Sequence, residues 1–362
     1  MNTTNPTPEW RTWTIAITGM NARPDNPGPG MAVARCLREH PEFRGRLIGL
    51  GYDALDAGLY HGEICDAAHL LPYPSTGAAA LEERLWEIQQ DEPIDVLIPC
   101  LDAELTNFQQ LLPTLRSWGV RALLPDRQSF AARGKDRLAA LCAEAGVATP
   151  ETRLVTDPHF FADNQENGWP YPLVVKGIFY DAQVVHGEAE ARAACQRIAR
   201  QWGYPVLVQR FIPGHEVNLT AVCDTESTLR GTVMMRKRAV TDKGKAWAGI
   251  TIVDDELLTM AQTLTRHLGW HGPLEVEALK GEDGKLYLVE INPRFPAWVY
   301  LTHGVGRNLP ALLLALLAGE TPPELPAARP GTLFIRHAQE VIVGLESLAA
   351  MLTTGTQKSL AA

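Results

Sequence analysis

The sequence predicts an α/β domain, built on a doubly wound parallel sheet, followed by a larger α+β region. Over about the first 125 residues, short apolar strands alternate with helices, which is typical of a parallel sheet covered on both faces. Farther along, two apolar-alternating runs flank Asp283-Gly284, and this pattern indicates a β-hairpin with a two-residue turn. A chain of 362 residues is too long for one small core, so we expect two or three domains.

Composition excludes several classes of function. A net charge of −9 argues against a nucleic-acid-binding protein, because a phosphate backbone requires a basic surface. The six cysteines are scattered, with no Cys-x-x-Cys pair, so we expect reduced, buried thiols in a cytoplasmic protein. Residues 1–12 are polar, and no apolar run is long enough to span a membrane. We therefore expect neither a signal peptide nor a membrane partner.

The first strands and helices are predicted at residues 14–18, 47–50 and 95–99 for strands, and from about Met31 and at 81–90 for helices. Gly28-Pro-Gly30 precedes the first helix and is able to cradle a phosphate. Val33 stands where a dinucleotide-binding fingerprint has its third glycine, although Asp53 lies at a suitable distance for a ribose contact. A dinucleotide-dependent oxidoreductase therefore stays open beside a doubly wound module whose loop has another use.

The predicted hairpin places four polar side chains on one face. Counting back from a turn at Asp283-Gly284 sets Glu277 opposite Glu290 and Glu275 opposite Asn292. A slip of one residue would send these acids to the other face. The opposite face is apolar and predicts core positions: Val276, Ala278, Val289 and Ile291.

Carboxylates stacked on one sheet face repel each other and need a counter-charge. A magnesium ion with oxygen ligands is the simplest candidate. Arg294 follows on the same side and is able to bind a phosphate oxygen. The alternative is an ordinary solvated hairpin face.

The run Leu-Val-Glu-Ile-Asn-Pro-Arg at residues 288–294, preceded by Glu277, resembles the metal-binding signature of the ATP-grasp superfamily, especially its carbamoyl-phosphate-synthetase-like carboxylate–amine ligases. The resemblance implies that Glu277, Glu290 and Asn292 hold Mg²⁺ (or Mn²⁺) ions bridging the phosphates of ATP. Arg294 would then contact phosphate or substrate. It also implies a Rossmann-like N-terminal domain followed by an ATP-grasp fold of two α+β subdomains.

Two lysines upstream fit this resemblance. Lys135 is predicted in the first turn of a helix that ends at Gly146, where the helix dipole disfavours a cation. The resemblance gives it the α-phosphate or the base, and Arg133 and Arg137 stay open as alternatives. Lys176 ends a predicted buried strand, where lysine needs a partner, and the resemblance assigns it to the α- and β-phosphates.

The loop after Lys176 departs from the family pattern because it contains few glycines. We expect a shorter or stiffer phosphate lid, or one built from Tyr180 and Gln183. Farther on, a strand turns at Pro213-Gly214. The resemblance makes Glu216 the acceptor of hydrogen bonds from the ribose hydroxyls. It places the adenine at the preceding hinge, where backbone groups pair with the base and the Phe211 ring packs against it. The hinge residues are Gln209, Arg210, Phe211 and Ile212.

A basic cluster follows, with Arg236 and Arg238 predicted on one strand face and Lys243 and Lys245 beyond. A solvated face is the default explanation for a charge run, and a pocket for the γ-phosphate and an anionic substrate is the functional one. Candidate substrate contacts elsewhere are Asp102, Glu104, Trp298 and Tyr300, although a helix start or core packing also explains them.

The implied reaction joins a small carboxylate to an amine. ATP would first convert the carboxylate to an acylphosphate, with Lys176, Arg238 and Arg294 neutralising charge on the transferring group. Serine-hydrolase, zinc-protease and Walker motifs are absent from the sequence. The expected domains are 1–125 (Rossmann-like), 126–200 (lid subdomain), 201–320 (C-terminal subdomain with the metal site) and 321–362 (linker and last strand or helix).

Three alternatives remain open: a carboxylase or carbamate-forming enzyme of the same fold, the dinucleotide-dependent oxidoreductase, and a nucleotide-binding regulatory protein. The expected partners are small carboxylate and amine substrates. Dimerisation is common in the family, so a homodimer also stays open.

Overall fold

The computed structural model describes residues 9–178 and 181–360; Tyr180, predicted for the lid, lies outside these residues. The N-terminal part alternates strands with helices, as the sequence predicted. Its elements are β1 (Thr14–Ile17), α1 (Gly30–Arg38), β2 (Arg46–Gly51), β3 (Ala67–Leu70), α2 (Ala78–Asp91), β4 (Val96–Ile98) and α3 (Leu105–Ser117).

The middle of the chain forms a small antiparallel sheet covered by one long helix. Its elements are α4 (Arg127–Ala132), α5 (Leu138–Ala145), β5 (Thr152–Val155), β6 (Leu173–Lys176), β7 (Ala182–Val185), α6 (Glu188–Trp202) and β8 (Val206–Arg210). The four strands are ordered β5-β8-β6-β7. One buried cluster joins this sheet to α6, so the unit has a core of its own.

A second antiparallel sheet follows and carries the hairpin. Its elements are β9 (Gly214–Cys223), β10 (Leu229–Val240), β11 (Ala246–Ile252), α7 (Asp255–Leu268), β12 (Gly272–Gly281) and β13 (Leu286–Asn292). Helix α7 is capped at its start by Asp254, whose side chain accepts a hydrogen bond from the Leu257 N–H, and at its end by left-handed Gly269. Its apolar stripe packs on one face of the sheet and leaves the other face for polar groups.

The C-terminal segment returns to both earlier sheets. It comprises α8 (Tyr300–Gly304), α9 (Leu309–Leu317), β14 (Leu333–Ile335), α10 (Leu345–Thr354) and β15 (Thr356–Gln357). Strand β14 joins the edge of the second antiparallel sheet, ordered β13-β12-β9-β10-β11-β14. Strand β15 pairs antiparallel with β3 and completes the first sheet, ordered β15-β3-β2-β1-β4. The segment 321–362, predicted to hold a last strand or helix, therefore contains β14, α10 and β15.

The first domain has a topological switch point between β1 and β4, because the chain proceeds outward from β1 through β2 and β3 before it returns to β4. In sheets of this kind, ligands bind beyond the carboxyl ends of the two strands at the switch point. The residues just beyond β4 include Asp102, which therefore lies at the crevice that faces the rest of the molecule.

The glycines of the β1–α1 loop serve packing rather than phosphate binding. A Cβ on Gly30 would lie 2.0 Å from the Thr18 carbonyl oxygen, and one on Gly28 would lie 2.3 Å from that of Gly19. Their N–H groups donate within the loop, from Gly28 to the Asn21 carbonyl at 3.0 Å and from Gly30 to the Gly19 carbonyl at 2.9 Å. This geometry argues against the dinucleotide interpretation.

The hairpin turn differs from the prediction. The Gly281 N–H donates to the Lys285 carbonyl at 2.9 Å, so the loop has three residues, 282–284, rather than two. Gly284 adopts a φ of 81°, the left-handed conformation that closes three-residue hairpin loops.

The predicted pairing across the hairpin is nevertheless confirmed. Glu277 lies opposite Glu290 and Glu275 opposite Asn292, because a register shift next to Glu277 leaves Val289 as a bulge. The extra residue in the turn and the extra residue in the ladder compensate each other. Val289 is consequently not a core residue. The buried positions of β13 on the core face are Leu286, Leu288 and Ile291.

Two other local predictions were wrong. Lys135 lies in the turn between α4 and α5 rather than in the first turn of a helix. The chain does not turn back on the same sheet at Pro213-Gly214, because β8 and β9 belong to different sheets. That segment is instead the crossing between the two antiparallel sheets. Within the described residues, no helix is long and apolar enough to cross a bilayer.

We expect Met351→Ala to lower the free energy of unfolding by about 2–4 kcal/mol, because Met351 is fully buried in the core of the first domain. The neighbouring Leu352 is 67% exposed, so Leu352→Ala should change it by less than about 0.5 kcal/mol. Urea unfolding followed by circular dichroism measures both. Equal effects would contradict the docking of α10 on this domain.

Candidate functional site

The polar face of the second antiparallel sheet brings together the acidic residues predicted from the hairpin. The Asn292 amide donates to Glu277 Oε1 at 2.8 Å and to Glu275 Oε2 at 3.1 Å. Glu290 lies across the ladder from Glu277 and within 3.4 Å of the Lys135 ammonium. The hairpin therefore supplies carboxylate and amide oxygens at one place.

Glu275 is the buried centre of this face. Its carboxylate accepts hydrogen bonds from Trp298 Nε1 at 2.6 Å, Asn218 Nδ2 at 3.0 Å, Asn292 Nδ2 at 3.1 Å and Arg294 Nη1 at 3.3 Å. The donors come from β9, β13 and the segment that follows β13. Glu275 thus fixes the orientation of side chains that the sequence predicted as metal or substrate contacts.

Lys237 supplies a counter-charge that sequence reasoning missed. Its ammonium lies 2.5 Å from Glu216 Oε2 and 2.9 Å from Glu277 Oε2. Burial alone would lower the pKa of Lys237, but these two carboxylates raise it above its usual value. The ladder between β9 and β10 pairs Arg236 with Val217, so the next residue of each strand, Lys237 and Glu216, lies on the opposite face.

The pKa values of the two adjacent carboxylates on this face, Glu275 and Glu277, shift in opposite directions. Burial raises the pKa of Glu275, and the charge of Glu277 adds to that effect. Burial also acts to raise the pKa of Glu277, but Lys237 and Lys245 outweigh it and lower that pKa. Glu277 therefore stays ionised and available to a cation at neutral pH.

The prediction of Arg236 as a substrate contact does not fit the register. Arg236 pairs with Val217, a core residue on the helix-covered face, so its side chain lies opposite to that of Lys237. Arg238 is exposed and coincides with a register shift of β10, and its catalytic role stays a prediction.

Arg294 connects the hairpin to the first domain. Its Nε donates to Asp102 Oδ2 at 3.2 Å, and Arg133 lies 3.5 Å from the other oxygen of the same carboxylate. Burial acts to raise the pKa of Asp102, but the charges of Arg294, Arg133 and Lys245 lower it. The switch-point crevice and the acidic face therefore meet at this ion pair.

Lys176 reaches the same place from the lid sheet. Burial lowers its pKa to about 8, helped by the charge of Lys135 and opposed by the carboxylates of Glu290, Glu216 and Glu277. The charges that act on Lys176 include that of Glu290, which also lies 3.4 Å from the Lys135 ammonium. Within the described part of the chain, no carboxylate forms an ion pair with Lys176. Both predicted phosphate-binding lysines thus converge on the hairpin.

The predicted adenine hinge forms the crossing between the lid sheet and the second sheet. The Gln209 side chain donates to Thr152 Oγ1 at 2.9 Å and is buried. The Arg210 side chain pairs with Glu151 at 2.6 Å, and the Arg210 backbone N–H donates to the Glu151 carbonyl. Neither the guanidinium nor the backbone N–H of Arg210 is therefore open to a base. Phe211 is 38% exposed. Ile212 lies beside the hairpin at Gly281.

Three candidate substrate contacts are packed inside the protein, which agrees with the alternative explanation by packing. Trp298 is buried and donates to Glu275 rather than lining an open pocket. The Tyr300 hydroxyl donates to Glu39, and the Arg35 guanidinium lies 3.8 Å from its ring centroid, so Tyr300 belongs to the α1–α8 contact. Glu104 is fully buried and accepts hydrogen bonds from Thr18, Tyr52, Cys100 and Leu101.

The donor set fits a hard divalent cation. Glu277, Glu290 and Asn292 carry only oxygen acceptors, from facing strands. Among residues 9–178 and 181–360, no three His, Cys, Asp or Glu side chains converge as a complete cage, so Mg²⁺ would need phosphate or water ligands as well. Protein cations, Lys237 and Arg294, already supply part of the counter-charge that this face was expected to need, and the magnesium site stays a prediction.

Comparison with known proteins agrees with this geometry. The family model described as "ATP-grasp in the biosynthetic pathway with Ter operon" matches residues 202–340, which include both strands of the hairpin. Three solved structures share the fold. The L-amino acid ligase from Bacillus licheniformis is 15% identical, with a TM-score of 0.62, over 85% of this chain and 74% of that one.

An N5-carboxyaminoimidazole ribonucleotide synthetase in complex with ADP is 16% identical, with a TM-score of 0.66, over 88% of this chain and 80% of that one. The biotin carboxylase from Campylobacter jejuni, in a β,γ-ATP complex, is 14% identical, with a TM-score of 0.65, over 86% of this chain and 72% of that one. These likenesses establish the fold that the hairpin motif predicted.

We expect Glu275→Gln to lower the free energy of unfolding by about 1–3 kcal/mol, because an amide accepts on one atom only and leaves buried donors without partners. Glu282→Gln, at the exposed tip of the same hairpin, is the matched control and should change it by less than about 0.5 kcal/mol. Urea titrations measure both. A neutral Glu275→Gln would remove Glu275 from the centre of the network.

The lowered pKa of Lys176 predicts a pH dependence of MgATP binding. Only the protonated lysine attracts phosphate, so affinity should fall by up to about tenfold per pH unit as pH rises through about 8. Lys176→Arg stays charged over this range and should remove the dependence. Calorimetric titration at pH 7, 8 and 9 measures it, and an unchanged slope in the arginine variant would contradict the assignment.

Proposed function

We propose that the chain is an ATP-grasp enzyme, and specifically an ATP- and magnesium-dependent ligase that couples a small carboxylate to an amine; a family model over residues 202–340 and the shared fold support this. The observation that carries this proposal is the convergence of Lys176 and Lys135 on the carboxylates of Glu290 and Glu277, beside Arg294. The lysines and Arg294 suit the phosphates of a nucleoside triphosphate, and the carboxylate oxygens suit the metal ion that accompanies it.

The proposed reaction has two steps. An oxygen of the substrate carboxylate attacks the γ-phosphorus of ATP, and the bond from that phosphorus to the β–γ bridging oxygen breaks, which releases ADP. The amine nitrogen then attacks the acyl carbon of the acylphosphate. The bond from that carbon to the phosphate oxygen breaks, phosphate leaves and the nitrogen loses a proton, so the product is an amide.

The protein residues have electrostatic tasks in both steps. Lys176 and Lys135 would hold the phosphates, and Arg294 would face the transferring group with the donor atoms that Asp102 and Glu275 leave open. Glu277, Glu290 and Asn292 would hold Mg²⁺, which shields phosphate charge when bound. Glu216 would accept hydrogen bonds from the ribose hydroxyls. Part of its contact with Lys237 would be lost when the ribose binds.

We further propose that the acid substrate is an amino acid or a small peptide. One structural neighbour is an L-amino acid ligase, and the cations around Asp102 suit an anionic substrate at the switch-point crevice. All six cysteines are free and buried, which supports a reducing, cytoplasmic location. The domain limits near residues 125, 200 and 320 are kept as a proposal, with α9, α10 and β15 packing on the first domain.

A carboxylase is the second candidate, since another structural neighbour is a biotin carboxylase. It uses the same nucleotide chemistry but activates bicarbonate. Dependence of ATP turnover on bicarbonate alone would distinguish it from a ligase that requires an acid and an amine.

The proposal predicts magnesium-dependent release of ADP and phosphate when pooled amino acids or small carboxylates are supplied together with amines. The product should have the summed mass of one acid and one amine less water. Glu290→Gln should reduce turnover at least about 100-fold through loss of a metal ligand, whereas Glu282→Gln on the same hairpin should not. Coupled assay and mass spectrometry measure release and product.

Two outcomes would contradict the proposal in different ways. Release that requires only bicarbonate would favour the carboxylase. Tight nucleotide binding without release from any pool would favour a regulatory protein.

A further inference from the structure

Lys237 connects two carboxylates to which the proposed function gives separate tasks. Its ammonium lies 2.5 Å from Glu216 Oε2 and 2.9 Å from Glu277 Oε2. A third acceptor, the Gly244 carbonyl, lies 3.4 Å away. The Lys237 side chain is 9% exposed, so water has little access to this ammonium and the protein oxygens hold it in place.

Both carboxylate oxygens of Glu277 are contacted by protein donors. Oε1 accepts a hydrogen bond from the Asn292 amide at 2.8 Å, and Oε2 accepts one from the Lys237 ammonium at 2.9 Å. The two donors differ in charge. A neutral amide tolerates a cation on the same carboxylate, whereas an ammonium repels it. Lys237 is therefore the group that a divalent cation at Glu277 must displace or outweigh.

The other carboxylates of this face also have cations of their own. Glu290 Oε1 lies 3.4 Å from the Lys135 ammonium, and Glu275 Oε2 lies 3.3 Å from Arg294 Nη1. The negative charges of the face are thus largely balanced within the protein. A further divalent cation would bring two positive charges without a matching negative charge.

We propose that Lys237 excludes free divalent cations from Glu277, so that the metal binds only together with the nucleotide. This inference rests on the proposed function and concerns the order in which metal and nucleotide bind. A free Mg²⁺ would lie beside the ammonium in a partly buried site, where water screens the repulsion poorly. The phosphates of a nucleotide carry the opposite charge and compensate both the metal and Lys237. Lys237 acts through Glu277 and is a positioning residue.

The test uses Mn²⁺ as the probe, because the electron paramagnetic resonance signal of the free ion measures binding without turnover. Mn²⁺ is titrated into the full-length protein with and without saturating ADP. We expect the wild type to bind Mn²⁺ at least about tenfold more tightly with ADP than without it. Without ADP, Lys237→Met should bind Mn²⁺ at least about tenfold more tightly than the wild type. Lys237→Arg keeps the charge and should stay close to the wild type.

Two control variants separate exclusion by Lys237 from effects of net charge or folding. Lys285→Met removes a positive charge at the exposed tip of the β12–β13 hairpin and should bind Mn²⁺ like the wild type. The double variant Glu216→Gln/Lys237→Met keeps the net charge of the protein, and it carries the test if Lys237→Met does not fold. It should bind Mn²⁺ more tightly than Glu216→Gln alone. A purely structural role of Lys237 predicts weaker binding in both Lys237→Met proteins, because the ligands would lose their order.

The outcomes distinguish this inference from the proposed function. Equal or weaker Mn²⁺ binding without ADP, in Lys237→Met and in the double variant, would overturn the inference and leave the ligase in place. Equal Mn²⁺ affinities of the wild type with and without ADP would also overturn it. A wild-type protein that binds neither ADP nor Mn²⁺ would instead contradict the proposed function.

Discussion

The structure depends on neutralising four carboxylates around one sheet face. Glu275 and Glu277 lie two residues apart on β12, so their charges repel across a buried surface. A buried charge is tolerated only when it is paired and hydrogen-bonded. Lys237 and Arg294 meet this condition from within the protein. This need for paired charges explains why β9, β10 and the segment after β13 are arranged around β12.

The same cations have a second consequence, because they hold the domains together. Arg294 donates from one nitrogen to Glu275 in the second antiparallel sheet and from another to Asp102 at the switch point of the first domain. One buried guanidinium thus joins the crevice to the hairpin. The proposed substrate, nucleotide and metal sites meet where this side chain lies, so chemistry and domain packing share the same charges.

The sequence predicted the local parts of this site and missed the parts that depend on long-range register. The predicted pairing of Glu277 with Glu290 is correct although the turn is one residue longer than predicted, because the bulge at Val289 restores the register. Hairpin pairing is local, and in this hairpin the error in turn length is offset by the bulge. The distant lysine at β6 was also found, since a strand that ends on lysine is unusual by itself.

The missed and misplaced residues have a common cause. Lys237 and Arg236 are neighbours with opposite surroundings, and only the pairing of β10 with β9 decides which of them faces the acids. Trp298 and Tyr300 looked like pocket residues, but their partners, Glu275 and Glu39, are remote in sequence. Composition and spacing do not encode such contacts. The return of the chain to the first sheet was missed for the same reason.

That return affects how the protein is made. Thr356 meets His69 across 287 residues of chain, so the edge of the first sheet stays open until nearly all of the described chain has left the ribosome. An uncovered strand edge attracts wrong pairing, and contacts this distant in sequence form slowly. The sheet formed by β1 to β4 is therefore synthesised early in the described chain but completed late, and chaperones have a long interval in which to bind it.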